Sequence, residues 1–382
     1  MGRKKICFIT AVPVTVTAFL RLHINRLADD YDVFVVSNYG EQSAPQDERV
    51  TYLNVPLERE VLLWADLRAL ILLVGIFRRH RFDLVHSVTP KAGLLGMLAA
   101  RLAGVPVRIH WFTGQVWVTR SGLARQVLKS ADKLIARLAS HLLADSPSQR
   151  EFLAAERICR ISDIEVIGEG SICGVDGNRF RPNPHARARV RSEHNIPDGA
   201  RVVLFLGRLN ADKGVREMAL AMVALEAQHP NLHWLIAGPD EGGMVEHVCA
   251  VAGMLGERLH FQGFTSEPEV YMAAADIFCL PSYREGFGSS VLEAAASGVP
   301  SVATRIYGLT DAVEDGVSGL LVPAANAEAL SEALGILLVN QEKCRMMGAA
   351  ARDRALERFS QQRVIEGLQD FYQRIIPQEA EV

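Results

Sequence analysis

Two carboxylates eight positions apart, Glu285 and Glu293, bracket the turn Gly286-Phe287-Gly288. The apolar run Ile277-Phe278-Cys279-Leu280-Pro281 leads into that turn, and the helix-forming run Val291-Leu292-Glu293-Ala294-Ala295-Ala296 leads out of it. A helix that begins near Gly288 leaves Glu285 on the preceding loop and carries Glu293 about one turn inside. Glycines let a backbone pass close to a ligand. The N–H groups of a helix start, here Gly286–Ser289, attract an anion such as a diphosphate. A carboxylate on each side of a phosphate cradle suits a ligand with hydroxyls at both ends, which describes a sugar nucleotide. Surface glutamates are common, so the strand–glycine turn–helix setting is what gives this spacing its weight.

A second loop has related chemistry. The run Val202–Leu206 feeds into Gly207-Arg208-Leu209-Asn210-Ala211-Asp212-Lys213-Gly214, with a helical pattern beyond. Arg208 offers a planar fork to phosphate oxygens and Lys213 a point charge. Taken alone, the segment also reads as an ordinary solvated turn, and its spacing is not that of a P-loop. In the first half, Arg108-Ile109-His110-Trp111-Phe112-Thr113-Gly114-Gln115 ends a strand with a histidine suited to a sugar hydroxyl or phosphate. A lone histidine is as readily a structural one. Leu84-Val85-His86-Ser87-Val88-Thr89-Pro90-Lys91 is strand, loop and helix start, which places Lys91 and Thr89 where an acceptor phosphate could bind.

The elements that position these residues follow a simple alternation. Ile6–Thr10, Asp32–Val36, Leu84–Ser87, Arg108–Trp111 and Leu142–Ala144 read as strands, separated by helices at Ala18–Leu27, Leu62–Arg79, Ala92–Leu102 and Leu123–Ala139. The second half repeats the scheme, with strands at Val202–Leu206, His233–Ala237, Leu259–Gln262, Ile277–Leu280, Ser301–Ala303 and Gly319–Val322. Such alternation predicts parallel sheets covered by helices on both faces. At 382 residues, two α/β domains of the doubly wound, Rossmann-like kind are expected, facing each other across a cleft. Residues 1–180 form the first and 181–360 the second, joined through the polar stretch Asn178–Arg201. Tail helices at Glu342–Glu357 and Gln361–Ile375 pack back across the junction, the last (361–376) onto the first domain. In open α/β sheets ligands bind beyond the carboxyl ends of strands, where every motif above lies.

Composition sets the limits. The chain is 49% hydrophobic and 22% charged, and its net charge of −3 is unevenly spread. Residues 1–150 carry 20 Lys and Arg against 12 Asp and Glu, whereas residues 201–382 carry 14 against 24. A basic half joined to an acidic half points to an anionic surface as partner, although uneven surface drift gives the same sum. Leu123–Ala139 sharpens that reading, because Arg125, Lys129, Lys133 and Arg137 climb one face opposite an apolar stripe. Such a helix suits anionic headgroups or, equally, a core with a solvated face. The longest apolar run, Ala69–Phe77, is too short to span a bilayer, and the charged start reads as a first strand rather than a signal peptide. Six scattered cysteines fit a reducing cytosolic compartment without disulfides or structural zinc. No cofactor and no metal is expected, since no His/Asp/Glu cluster with ligand spacing occurs. Neither a nucleophile elbow nor a dinucleotide fingerprint is present, and nothing points to nucleic acid.

These motifs resemble retaining glycosyltransferases of the two-Rossmann-domain GT-B type, family 4. Glu285-Gly286-Phe287-Gly288 through Glu293 is similar to that family's E-x7-E motif. Gly207-Arg208 with Asp212-Lys213-Gly214 is similar to its donor-phosphate loop, and Gly174-Val175-Asp176 with Phe180 to its interdomain segment. The narrower likeness is to bacterial enzymes that extend undecaprenyl-diphosphate-linked sugars in O-antigen, capsule or glycoprotein-glycan assembly. Thr89-Pro90-Lys91-Ala92-Gly93-Leu94-Leu95, Phe112–Trp117 and Tyr271–Asp276 carry it. The sequence departs from many members after the first strand, where Thr10–Val16 replaces a glycine-rich loop.

The resemblance implies transfer of a hexose or N-acetylhexosamine from a UDP-sugar to a polyprenyl-diphosphate-linked saccharide, with retention. It implies catalytic roles for Glu285, Arg208, Lys213 and His110, with His110 lining the donor-sugar pocket. Donor contacts fall to Gly286, Phe287, Gly288, Ser289 and Glu293, with Gly263 and Phe264 beside the base. Acceptor contacts fall to Lys91, Thr89, Thr113 and Gly114. It further implies a peripheral protein on the inner face of the cytoplasmic membrane. A hydrolysing sugar-nucleotide epimerase and a non-catalytic sugar-nucleotide-binding subunit are the alternatives. Turnover of donor alone would mark the first, and binding without turnover the second.

Overall fold

The computed structural model describes residues 3–40, 47–58 and 62–376 and divides the chain into two compact units. In the first, seven parallel strands form one sheet: β1 (Lys5–Ile9), β2 (Asp32–Ser37), β3 (Val50–Asn54), β4 (Leu84–Val88), β5 (Val107–Phe112), β6 (His141–Ala144) and β7 (Ile164–Val166). Their spatial order is β3-β2-β1-β4-β5-β6-β7, which reverses between β1 and β4. Central strands such as β4 are buried along their whole length, as a sheet covered on both faces requires. The strands β3 and β7 were not legible in the sequence. Both lie at the sheet's edges and bury only their first residue, so they lack the apolar run that marks the interior.

The second unit, Gly174–Gln361, has six parallel strands. They are β8 (Arg201–Leu206), β9 (Leu232–Ala237), β10 (Leu259–Gly263), β11 (Ile277–Leu280), β12 (Ser301–Thr304) and β13 (Gly319–Val322), in the order β10-β9-β8-β11-β12-β13. The reversal falls between β8 and β11. Phe205, Trp234 and Phe278 are fully buried in one continuous core.

The chain enters this unit at Gly174, several residues before position 180. Val175 N–H donates to Phe359 O at 2.8 Å and Gln361 N–H to Val175 O at 3.1 Å, while Phe180 is buried in the second core. Gly174 sits at φ +58°, where an added Cβ would lie 2.6 Å from Phe359 O. The helix Gln341–Arg358 stays with the second unit, its Gly348 pressed against the Gly298 carbonyl. Only the helix Gln361–Ile375 returns to the first, where Val364, Leu368, Phe371 and Tyr372 enter the core beneath β1 and β4.

Tyr372 fixes that return. Its hydroxyl shares a 2.7 Å hydrogen bond with His86 Nδ1 on β4, and Arg374 Nη2 donates to Glu165 Oε2 at 2.9 Å. Burial holds His86 well below the usual histidine range, so the imidazole is neutral. Among the described residues its Nε2 has no partner. Replacing Tyr372 by Phe leaves the whole ring unbonded, which costs about 1–3 kcal/mol. The Tyr372→Phe variant is expected to unfold at lower urea than the parent, and an unchanged midpoint would show that the bond adds nothing.

Candidate functional site

The second unit's site is built where β8 and β11 lie side by side, at the reversal of strand order. A loop leaves the carboxyl end of each, and the two are pressed together. Gly214, at φ +68°, passes so close to Pro281 that a Cβ would collide with the Pro281 carbonyl oxygen. Tyr283 N–H donates to Asp212 O at 2.8 Å, and Arg284 Nε to Asp212 Oδ2 at 2.8 Å. This apposition sets Lys213 Nζ 2.5 Å from Glu285 Oε1. Ser282, fully buried, donates its hydroxyl to the same oxygen at 2.7 Å and is itself held by Thr304 Oγ1 on its carbonyl. Glu285 Oε2 has no hydrogen bond to any described residue.

Next to this pair, Arg208 Nη1 donates to Glu241 Oε2 at 2.8 Å, joined there by Asn210 Nδ2 at 3.1 Å. Backbones then run in close file along the carboxyl edge of β8, β9 and β10. Gly238 abuts the Gly207 carbonyl and donates its N–H to Gly263 O at 2.7 Å. Phe264, just beyond, is 74% exposed.

The helix Ser289–Ala296 starts at Gly288, whose φ of +86° and proximity to Leu309 exclude any side chain. Gly286 lies beneath Gly308, its carbonyl where a Gly308 Cβ would be. Phe287 turns its side chain inward. Its side chain is 1% exposed and rests on Phe359, ring centres 5.1 Å apart. It anchors the turn in the core, which leaves only its backbone for the turn's outer side. Glu293 is partly buried, and its carboxyl makes no hydrogen bond with a described residue. Burial pushes its carboxyl up to about 7, with Arg179 pulling down and Glu269 pushing up.

In the first unit, His110 lies on β5 at 1% exposure, with its Nδ1 2.8 Å from Ser87 Oγ. Burial lowers it to about 3, which keeps the ring neutral. Gly93 leaves room for that ring, since a Cβ there would strike it. Thr89 holds φ +77° despite its branched Cβ, and its buried Oγ1 has no partner among the described residues. Such strain at a strand end is typical of ligand sites. Lys91 is not a free cation: Asp66 meets it at 2.6 Å. Thr113 O accepts from Gln115 Nε2 at 2.6 Å and Gln149 Nε2 at 2.5 Å, which pins the Thr113-Gly114 turn.

The structure therefore assembles Glu285, Lys213, Arg208, Gly286, Gly288, Ser289, Glu293 and Gly263 along one sheet edge of the second unit. His110, Thr89, Thr113 and Gly114 lie at or just beyond two adjacent strands of the first. Sequence reasoning missed Ser282, Glu241, Gly238 and Ser87. Gly238-Pro239-Asp240-Glu241 follows a strand and could have been found that way, whereas nothing local marks Ser282 or Ser87 as partners of Glu285 and His110.

Comparison with known proteins bears on these units. The model of the glycosyl transferases group 1 family matches residues 186–354, and that of the glycosyl transferase 4-like domain matches residues 14–170. A D-inositol 3-phosphate glycosyltransferase of Saccharomonospora viridis is 31% identical over 330 residues, 78% of this chain and 73% of that protein. The capsular polysaccharide biosynthesis glycosyltransferase CapM of Staphylococcus aureus is 26% identical over 342 residues, 89% of each. Among solved structures, Anabaena Alr3699/HepE in complex with UDP-glucose superposes with a TM-score of 0.78 at 20% identity, covering 97% of this chain and 100% of that one. The fold, two parallel-sheet Rossmann-like units, is that of the GT-B glycosyltransferases.

Glu293 supplies a test that needs no ligand. A carboxyl whose folded pKa is raised, from 4.5 to about 7, contributes stability below pH 4.5 that is lost as pH climbs through 7. Glu293→Gln is expected to match the parent's melting temperature near pH 5 and exceed it at pH 8. Parallel pH profiles for the two proteins would show that Glu293 is solvated.

Proposed function

The chain belongs to the group 1 glycosyltransferases, and from that premise we propose that it transfers a hexose or N-acetylhexosamine from a UDP-sugar to a polyprenyl-diphosphate-linked saccharide. The product would be a cell-surface polysaccharide or glycan. The observation that carries the reading is the Lys213–Glu285–Ser282 cluster at the carboxyl edge of β8 and β11, beside the start of the Ser289–Ala296 helix. CapM supports the polysaccharide setting and the Alr3699/HepE complex the UDP-sugar donor.

The chemistry follows from charge. Cleavage at the anomeric carbon leaves an oxocarbenium-like centre and a diphosphate that gains negative charge. Lys213, Arg208 and the N–H groups at the helix start stabilise that charge as it develops, and we assign this task to them rather than to a metal. Glu285 then offers Oε2 to the donor sugar's hydroxyls, while Ser282 keeps the carboxylate in place through Oε1. Glu293 accepts from the ribose hydroxyls in its ionised form, so donor affinity rises with pH through about 7. Neutral His110, its Nδ1 occupied by Ser87, presents Nε2 as the first unit's contact to the sugar. Attack by the acceptor hydroxyl on the face that UDP leaves gives retention, with the hydroxyl's proton passing to the departing diphosphate oxygen. Thr89, Thr113 and Gly114 belong to the acceptor side. Lys91, already paired with Asp66, serves there only if the acceptor phosphate displaces that carboxylate. The first unit meets the anionic inner face of the cytoplasmic membrane through its basic side.

Purified protein, one UDP-sugar at a time and a short polyprenyl-diphosphate-linked N-acetylhexosamine test this by mass spectrometry. A gain of one sugar residue from a single donor is expected. Lys213→Ala and Glu285→Ala are each expected to lower turnover by about 10²–10³-fold, the worth of one electrostatic stabiliser, with circular dichroism unchanged. Near-parental turnover in both, or donor hydrolysis without transfer, would overturn the reading.

A further inference from the structure

The helix Leu63–His80 leaves an apolar face uncovered. Its inner positions Ala69, Leu73 and Phe77 are buried in the first unit's core, against the helix Pro90–Ala103. On the outer face Leu63 is 80% exposed, Trp64 85% and Ile71 63%, with Leu67 and Leu72 also open. Positions 64, 67, 71 and 72 recur at helical spacing, so they form one stripe along the helix. An exposed stripe of this kind on a soluble fold marks an interaction surface.

Charge identifies the partner. On this helix, on Pro90–Ala103 that packs against it, and on Gly122–Leu138 that packs against Pro90–Ala103 in turn, the only acids are Asp66 and Asp132. Asp66 is paired with Lys91, and Asp132 is buried against Trp117 Nε1 at 2.7 Å. Glu156 takes up Lys129 and Arg125. Arg68, Arg78, Arg79, Arg101, Lys133 and Arg137 form no ion pair with a described residue. A second copy of the chain would bring like charges together, while an anionic lipid surface would meet cations and apolar side chains with one face. The helix holds Asp66, Arg68, Arg78 and Arg79, and no helix among the described residues is long and apolar enough to cross a membrane.

Resting on the proposed membrane association, we infer that the Leu63–Trp64–Leu67–Ile71 stripe is the element that enters the lipid interface, lying in its plane. Aromatic and aliphatic side chains sit at the acyl boundary while flanking arginines reach the headgroups. The basic helix Gly122–Leu138 then adds long-range attraction, with Leu123 and Val127 as further apolar contacts.

Tryptophan fluorescence of the full chain tests this without a label, because Trp111, Trp117 and Trp234 are buried and Trp64 alone is open to solvent. With vesicles of phosphatidylglycerol and phosphatidylcholine at low salt, emission should shift to the blue and acrylamide quenching should fall. Pure phosphatidylcholine should cause neither change. Trp64→Glu should weaken partitioning roughly tenfold or more, as expected for losing one buried apolar side chain. If vesicles bind the protein but Trp64 stays fully quenchable, the stripe is overturned and the membrane reading survives. If anionic vesicles bind nothing at low salt, both fail. Protection of Trp64 that grows with protein concentration without lipid would assign the stripe to a second copy and overturn the inference.

Discussion

The close approach of two loops is the constraint on which the second unit's chemistry depends. β8 and β11 are neighbours only because strand order reverses between them, and their loops would normally diverge to opposite faces of the sheet. Gly214 lets them converge, since any larger residue would strike the Pro281 carbonyl. Asp212, bonded to both Tyr283 and Arg284, then fixes the register of the two loops. Lys213 and Glu285, 72 residues apart, become a hydrogen-bonded pair as a consequence of backbone packing. Their own attraction need contribute little, because a partly buried ion pair gives back much of its Coulomb energy in lost hydration.

The same edge holds its cations in compensated form. Lys213 faces Glu285, Arg208 faces Glu241 and Arg284 faces Asp212. In the proposed reaction, a diphosphate arriving among them would exchange one anionic partner for another, so the cations would already be oriented and little reorganisation would accompany binding. Glu293 is the exception: it is held without a hydrogen-bond partner, and burial favours its neutral form. A ligand that donates hydroxyls to it restores the ionised state, which couples proton release to occupancy.

Much of this was legible in the sequence wherever a signal is local. Buried central strands announced themselves as apolar runs, and glycines beside charged residues after strands marked the loops at β8 and β11. The helix Gln361–Ile375 was readable to its ends. Long-range facts were not readable. Asp66 neutralises Lys91 across 25 residues, and no local pattern pairs them. Phe287 sits within the glycine turn between Glu285 and Glu293 yet turns into the core, because the αL glycine after it redirects the chain. Edge strands β3 and β7 have no uniform burial to display. The passage between units lies at Gly174 because that residue's positive φ and contact with Phe359 decide it, and composition marks only the polar stretch farther on. Trp64 and Leu63 belong to a helix whose apolar content looks like core until its packing shows which face is left over.

The return of the last helix to the first unit has a consequence for biosynthesis. Residues 174–361 are contiguous and include every strand of their own sheet, so the second unit can close as soon as that stretch leaves the ribosome. The first unit cannot. Leu368, Phe371 and Tyr372 complete its interior, yet they are translated just over two hundred residues after β7. Until they arrive, His86 and the apolar side chains around it lie open on a sheet whose strands were made first. The nascent chain therefore folds out of order, and its earliest-made half is the last to be sealed.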